Sequence, residues 1–154
     1  MKTKSTRPDY IYVTYINTTP QKLWRALIEP KLIPQYWFGC TNTSTWQRGD
    51  AIESHDPEGG CDWHGKIVEN RPPHRLAYTF QHVGRNKPVS YVTFDVEPPK
   101  KGSVLQSAGV KLTVTHRGYA PGSQDFKGIS CGWPVILSAL KSLLETGRAT
   151  FKSK

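Results

Sequence analysis

Polar and apolar residues along this chain follow two different periods, and each period predicts a different kind of element. Residues 10–16, YIYVTYI, are dense in β-branched and aromatic side chains and predict a first strand. The next segment, NTTPQKLWRALIEP, has apolar residues at helical spacing, Thr18 or Thr19 as its N-cap and Pro20 in its first turn, so it predicts a helix. A short apolar piece, KLIPQYWFG, follows and is broken by its proline and glycine.

About six further strands are predicted after this point. Two are weak, TSTW and AIES, and two are stronger, DWHGKIVEN and HRLAYTF. The segments SYVTFDVEP and VKLTVTHR alternate cleanly, with Val92, Phe94 and Val96 on one face of the first. Glycine, proline and asparagine separate the strands at hairpin-like intervals, which favours a mostly antiparallel sheet. The order of elements predicts an α+β domain.

The last long apolar segment, GWPVILSALKSLLETG (residues 132–147), predicts a helix with a broad apolar surface. Pro134 fits the first turn and Gly147 fits the C-terminal cap. Apolar residues cover an arc of roughly 200°, whereas a helix on one flat surface needs only about 100°. Such a helix must be covered on two sides. Either a sheet together with loops or another helix covers it, or part of the arc lines an internal cavity.

Three segments of the chain resemble a known family. The closing GWPVILSALKSLLETG, the early TPQKLWRALIEPKLIPQYWFG and the central GKIVENRPPHRLAYTF resemble bacterial members of the family named for the activator of the heat-shock-protein-90 ATPase. That family is part of the START-like (SRPBCC) superfamily. The resemblance implies the helix-grip fold, in which a seven-stranded antiparallel sheet curves around a long C-terminal helix and encloses a cavity. One or two short helices follow the first strand, and no shared set of catalytic residues is implied.

Length and charge bound the domain organisation. We expect a single helix-grip domain over residues 9–148, with residues 1–8 and 149–154 as flexible basic tails. The formal net charge is +9, but six of the basic residues lie in residues 1–8 and 148–154. This leaves 15 basic against 12 acidic residues, or +3, for residues 9–147. Nucleic-acid binding is therefore not expected.

Targeting and metal-binding signals are weak in this sequence. No run approaches the ~20 apolar residues of a membrane span, and the N-terminal MKTKSTRPD lacks the apolar region of a secretory signal. We therefore expect a cytoplasmic protein without a membrane span. The three cysteines form no C-x-x-C pair and the five histidines form no helical pair. Neither a disulfide framework, a metal site nor a cofactor is predicted.

Aromatic residues supply the most informative chemistry, because aromatic walls with a few polar tips suit a flat hydrophobic ligand. Together with the helix-grip fold that the resemblance implies, they predict a binding cavity for a lipid, a polyketide or a flavonoid-like molecule. The alternative is that they form ordinary core packing. The predicted ligand-binding residues are Trp37, Trp46, Tyr78, Phe80, Phe94, Trp133, Leu137, Leu140 and Leu144, and Trp63 is expected to face the same space.

Three hypotheses for function follow. The first is a carrier or sensor that binds a small hydrophobic molecule, and a weak homodimer is compatible with it. The second is a cyclase or hydrolase on the same scaffold, for which Glu53, Asp62 or Glu69 could serve as acid or base. The third, suggested by the family name, is stimulation of a chaperone ATPase. No catalytic residue is predicted, since GISCG (128–132) matches a nucleophile elbow without the parallel sheet that the elbow requires.

Overall fold

The computed structural model describes residues 9–150 and contains three helices and seven strands within that range. In chain order the elements are β1 (Tyr10–Ile16), α1 (Pro20–Ile28), α2 (Ile33–Tyr36), β2 (Thr41–Ser44), β3 (Ala51–His55), β4 (Cys61–Arg71), β5 (Arg75–His82), β6 (Ser90–Glu97), β7 (Val110–Arg117) and α3 (Gln124–Thr146). A 3₁₀ turn, Val104–Ala108, precedes β7. The predicted α+β helix-grip fold is confirmed, with two short helices after the first strand and one long helix at the end.

The seven strands form one antiparallel sheet in the order β1-β7-β6-β5-β4-β3-β2. Alternate residues of β6 are buried, which confirms the period-2 pattern of its sequence. The register shifts between Ser54 and His55 and again between Ile67 and Glu69. Such bulges increase the local twist of a strand, and here they help the sheet to curve around α3.

One glycine is required by the close approach of two strands. A Cβ atom on Gly65 of β4 would lie 1.8 Å from the carbonyl oxygen of Thr79 on β5. The amide of the next residue, Lys66, donates to the Thr79 hydroxyl at 2.9 Å. The backbone of β4 therefore lies against β5 at a distance that no side chain at this position would allow.

The final helix begins eight residues earlier than the sequence pattern predicts. The predicted start at residue 132, with Pro134 in the first turn, is wrong: α3 begins at Gln124, and Pro134 lies inside it. The Ser123 side chain accepts a hydrogen bond from the Phe126 amide, and Asp125 in the first turn interacts favourably with the positive end of the helix dipole. Packing of Ile129 against the core extends the helix through its glycines and its proline.

The second half of α3 is fixed in the centre of the domain. Ile136, Leu137 and Leu140 are buried against the sheet, and Gly147 ends the helix in the left-handed conformation that was predicted for it. Side chains on this half also bind the end of β1 and the residue that follows it. Lys141 donates to the Tyr15 carbonyl, and Glu145 accepts from the Asn17 amide at 2.8 Å.

The first two helices close one end of the domain. Thr19 caps α1 by accepting from the Lys22 amide, which confirms one of the two predicted caps. The Tyr36 hydroxyl of α2 donates to the Ala26 carbonyl of α1 at 2.7 Å, so a buried hydrogen bond joins the two helices. The domain bounds 9–148 stay a prediction. Of the predicted tails, residues 1–8 and 151–154 lie outside the described residues, and Ala149 packs partly buried against the core.

Candidate functional site

A cleft of about 350 Å³ opens between the first half of α3 and the concave face of the sheet. This volume lies within the range of small-molecule sites, ~300–1,000 Å³. Its lining residues are Trp37, Phe80, His82, Gln124, Asp125, Gly128, Ile129, Gly132, Trp133 and Ile136. Seven of these come from α3 and recur at intervals of three or four residues, so a single face of the helix forms one wall.

Two glycines create much of the open space on that wall. Gly128 and Gly132 lie one turn apart on α3, and a Cβ atom added to either would meet nothing within 4 Å. Both glycines are in the helix interior, where glycine costs about 0.5–1 kcal/mol relative to alanine. The cleft therefore exists partly because side chains are missing from the helix face that borders it.

The wall opposite α3 is formed by Trp37 and Phe80, whose rings contact further aromatic rings. Trp37 meets Trp133 edge to face, with ring centroids 5.3 Å apart. Phe80 stacks on Trp63 at 4.4 Å, and Trp63 stacks on Tyr78 at 5.4 Å. Aromatic rings thus fill the interior behind the cleft, and the open space lies toward the N-terminal end of α3.

A buried histidine on β7 fixes one of the cleft walls. The Trp133 indole N–H donates to His116 Nδ1 at 3.0 Å, and because the indole can only donate, Nδ1 carries no proton. The neutral ring then donates from Nε2 to the Ser90 hydroxyl at 2.8 Å, which donates in turn to the Phe80 carbonyl at 2.7 Å. Burial, with a smaller effect of nearby His82, lowers the pKa of His116 to about 3, so the ring is neutral at physiological pH.

This network links both aromatic faces of the cleft through one imidazole. Trp133 and the Phe80 carbonyl lie at its two ends, and His116 itself is fully buried. Each donor in this series of hydrogen bonds has an acceptor, which is the condition under which a buried polar network is stable. The orientation of the Trp133 ring is therefore set before any ligand arrives.

Polar side chains stand at one end of the cleft. His82, at the end of β5, and Asp125, in the first turn of α3, approach to 3.8 Å between Nε2 and Oδ1. The Nζ atom of Lys87 lies 3.6 Å from the same oxygen. Burial lowers the pKa of His82, while Asp125 opposes the shift and Lys87 adds to it. The cleft thus has an apolar floor and a polar end.

The predicted site residues divide into three groups. Trp37, Phe80 and Trp133 line the cleft. Tyr78 and Phe94 lie behind it in contact with Trp63 and Trp133, while Leu137 and Leu140 are buried in the core. Leu144 is partly buried, and Trp46 is partly buried in the turn after β2 with a left-handed backbone (φ 61°). The ligand-binding set as a whole stays a prediction.

Several cleft residues were missed by the sequence reasoning. Gln124, Asp125, Gly128 and Ile129 precede the predicted start of the last helix, and His82 belongs to no recognisable motif. A serine cap followed by an acidic residue in the first turn, Ser123 and Asp125, was the signal that could have found the helix start.

The other chemical candidates lie elsewhere in the molecule. Glu53 pairs with His55, Glu69 with Arg71 and Arg75, and Asp62 with the Cys40 thiol. None of these carboxylates lines the cleft. The Ser130 hydroxyl donates to the Phe126 carbonyl within α3, as a serine inside an ordinary helix does.

Residues 9–150 contain neither a metal-binding cluster nor a membrane-spanning helix. No group of three or more His, Cys, Asp or Glu side chains in this range could hold a metal ion. No helix in the same range has both the length and the apolar character needed to cross a membrane.

The sequence and the fold of this chain are similar to those of known proteins. The profile of the family described as Activator of Hsp90 ATPase homolog 1-like protein matches residues 17–145. Protein MLL2253 from Mesorhizobium loti has a crystal structure with a TM-score of 0.75 and 25% sequence identity, and the match covers 89% of this chain and 96% of that one. No protein of curated function matches the sequence.

Two further structures share the fold at lower identity. The Aha1 dimer from Colwellia psychrerythraea, solved in solution, has a TM-score of 0.70 and 21% identity, and the match covers 92% of this chain and 99% of that one. DynU16, from the dynemicin biosynthetic locus, has a TM-score of 0.74 and 16% identity, and the match covers 94% of this chain and 50% of that one. At these identities the likeness shows the fold alone.

Proposed function

The chain belongs to the family of Activator of Hsp90 ATPase homolog 1-like proteins, and from that premise we propose that it binds a small, largely hydrophobic aromatic molecule as a carrier or sensor. The observation that supports this proposal is the cleft, which two glycines of α3 leave open and which aromatic rings line. Its occupant would lie between the face of α3 that carries Gly128, Gly132 and Trp133 and the facing rings of Trp37 and Phe80.

A flat aromatic ligand fits the cleft by its shape, and the wall that it would contact is ordered before the ligand binds. A flat ring system can stack against aromatic side chains, and each such pair contributes about 0.5–1.5 kcal/mol beyond the apolar area that it buries. The wall is already fixed by the hydrogen bond from Trp133 to His116, so binding does not have to order it. For a ligand of about fifteen non-hydrogen atoms, these effects are consistent with an affinity near micromolar.

A variant that fills the cleft tests the proposal directly. Leucine in place of Gly132 would extend into open space, and it would raise helix stability by roughly 0.5–1 kcal/mol because glycine is a poor helix former. Gly132→Leu should therefore fold at least as well as the natural protein and lose binding. Ser138→Leu is the matched control, since it adds the same side chain at an exposed position of α3 that does not line the cleft.

Binding would be measured by calorimetric titration with naphthalene, flavone and palmitate, together with amide chemical shifts. We expect at least one of these compounds to shift the amides of residues 124–136 in the natural protein and in Ser138→Leu, but not in Gly132→Leu. Equal binding by Gly132→Leu would contradict the proposed location. A complete lack of binding by all three compounds would contradict the function.

An enzyme on the same scaffold is a second candidate, and the polar end of the cleft favours it. His82 is a titratable group beside an apolar space with a carboxylate 3.8 Å away, which is the kind of pair that general base catalysis uses. If the protein is a cyclase or hydrolase, a bound compound should be converted, and His82→Gln should bind it without converting it. Mass spectrometry of the bound fraction distinguishes a carrier from an enzyme.

Two further proposals come from the relatives. The family description suggests stimulation of a chaperone ATPase, which an ATPase assay with added Hsp90 would detect. The Aha1 structure is described as a dimer, and a weak homodimer of this chain would appear as a concentration-dependent mass in sedimentation.

The sequence also predicts a cytoplasmic location for the protein, and we propose to test this prediction by fractionation of cells.

A further inference from the structure

The polar end of the cleft narrows the class of ligand that fits it. We infer that the ligand carries a neutral hydroxyl group on its aromatic ring and donates that hydroxyl to the Asp125 carboxylate. This inference rests on the proposed function, because it concerns the chemistry of an occupant of the same cleft. It predicts preference for phenols over hydrocarbons and over carboxylic acids of the same shape.

The first reason is the position of the carboxylate. Asp125 lines the cleft, and its side chain is only 19% exposed. His82 and Lys87 approach its Oδ1 atom to 3.8 and 3.6 Å, which is longer than a hydrogen bond. An ionised carboxylate can accept about four hydrogen bonds, so it retains capacity for a donor on the cleft side.

The second reason is the charge balance at the polar end of the cleft. Lys87 offsets the charge of Asp125, and burial favours the uncharged form of His82. These three side chains together therefore carry little net charge, and they offer hydrogen-bond acceptors to the cleft. Asp125 lines the cleft and Lys87 does not, so a ligand carboxylate would be repelled by the group it meets first. A ligand ammonium would have to lose more hydration than a hydroxyl does in order to enter the cleft.

The third reason is the contrast with the remainder of the lining. Apart from His82, Asp125 and Gln124, the cleft is bordered by aromatic rings, aliphatic side chains and glycine. The side chains on those surfaces can bury a ring system, but they offer no acceptor to a hydroxyl, and a buried hydroxyl whose hydrogen finds no acceptor is costly. The hydroxyl of a bound phenol is thereby directed to one end of the cleft, so the orientation of the ligand is fixed as well.

The test uses three ligands of one shape: naphthalene, 2-naphthol and 2-naphthoate. A hydrogen bond to a charged group stabilises a complex enough to change affinity about ten- to a hundredfold. We expect 2-naphthol to bind the natural protein at least about tenfold more tightly than naphthalene does, and 2-naphthoate to bind most weakly of the three. Asp125→Asn should reduce the ratio of the affinity for 2-naphthol to that for naphthalene, and this ratio corrects for any change in the cleft that weakens both ligands alike.

Glu97→Gln is the matched control, because it removes one carboxylate charge from an exposed pair with Lys111 that does not line the cleft. It should keep the preference for 2-naphthol. Retained naphthalene binding by Asp125→Asn shows that this variant is folded and that its cleft is intact.

The outcomes separate this inference from the proposed function. If naphthalene and 2-naphthol bind equally, or if 2-naphthoate binds most tightly, the inference is overturned while hydrophobic binding in the cleft stands. If Asp125→Asn retains the full preference for 2-naphthol, Asp125 is not the acceptor and the inference is also overturned. If none of the three compounds binds, the proposed function itself fails.

Discussion

Lowering the pH from 7 to 5 should destabilise this protein through His116. The folded state holds the ring neutral because it is fully buried and because Nδ1 is occupied by the Trp133 indole N–H. Its pKa is about 3 in the folded protein, against about 6.5 in an unfolded chain. Between these values the unfolded state binds a proton that the folded state does not, so stability falls as the pH falls.

The magnitude follows from that difference. A pKa shift of one unit corresponds to about 1.4 kcal/mol, and pH 5 lies about 1.5 units below the pKa of the histidine in the unfolded chain. The free energy of unfolding should therefore drop by about 2 kcal/mol between pH 7 and pH 5. His82 acts in the same direction, since its pKa is also lowered, but it is half-buried and its contribution is smaller. Few carboxylates begin to protonate above pH 5, which keeps the window specific to histidine.

Urea unfolding followed by tryptophan fluorescence at the two pH values measures this drop. In His116→Gln the side chain can still accept from Trp133 and donate to Ser90, but it cannot titrate, so most of the pH-dependent loss should disappear even if the variant is less stable overall. His74→Gln, which replaces an exposed histidine, should keep the full loss. If His116→Gln lost as much stability between pH 7 and pH 5 as the natural protein does, the argument from burial would be refuted.

Substitutions at four positions test the local packing by urea unfolding at pH 7. Gly65→Ala should cost about 3 kcal/mol, because the new Cβ would overlap the Thr79 carbonyl, whereas Gly128→Ala meets nothing within 4 Å and should stabilise by about 0.5–1 kcal/mol. Pro134→Ala restores a missing N–H donor in α3 and should stabilise by about 1–3 kcal/mol, and an unchanged stability would show that the packing around Pro134 compensates for the missing donor. Thr19→Ala removes the cap of α1 and should cost about 1 kcal/mol, while Thr19→Ser should cost little.

The strands and the first helix could be predicted because their signals are local. Alternation along β6 and β7 and the cap and proline of α1 each lie within one short segment. The start of α3 could not be predicted in this way. Gly128, Gly132 and Pro134 all oppose a helix, and burial of Ile129 and Trp133 against the sheet outweighs them.

The site was harder to predict because its contacts are distant in sequence. His82 and Asp125 come from the end of a strand and the start of a helix, and only the folded arrangement brings them to 3.8 Å. The His116 network joins residues of β6, β7 and α3 in the same way. An aromatic residue in the sequence predicts a buried side chain. It does not distinguish a ring that lines a cleft, such as Trp37, from a ring that packs behind one, such as Tyr78.

The proline inside α3 separates two parts of the helix that have different surroundings. Residues 135–146 are tied to the sheet by buried leucines and to the end of β1 by Lys141, whereas residues 124–133 border open space. A helix bends most easily where a backbone donor is missing, and Pro134 lies at the junction of the two parts. Widening the cleft for a bulkier ligand by bending at Pro134 would therefore cost the contacts that Ile129 and Trp133 make with the core, which sets a limit on the size of the ligand.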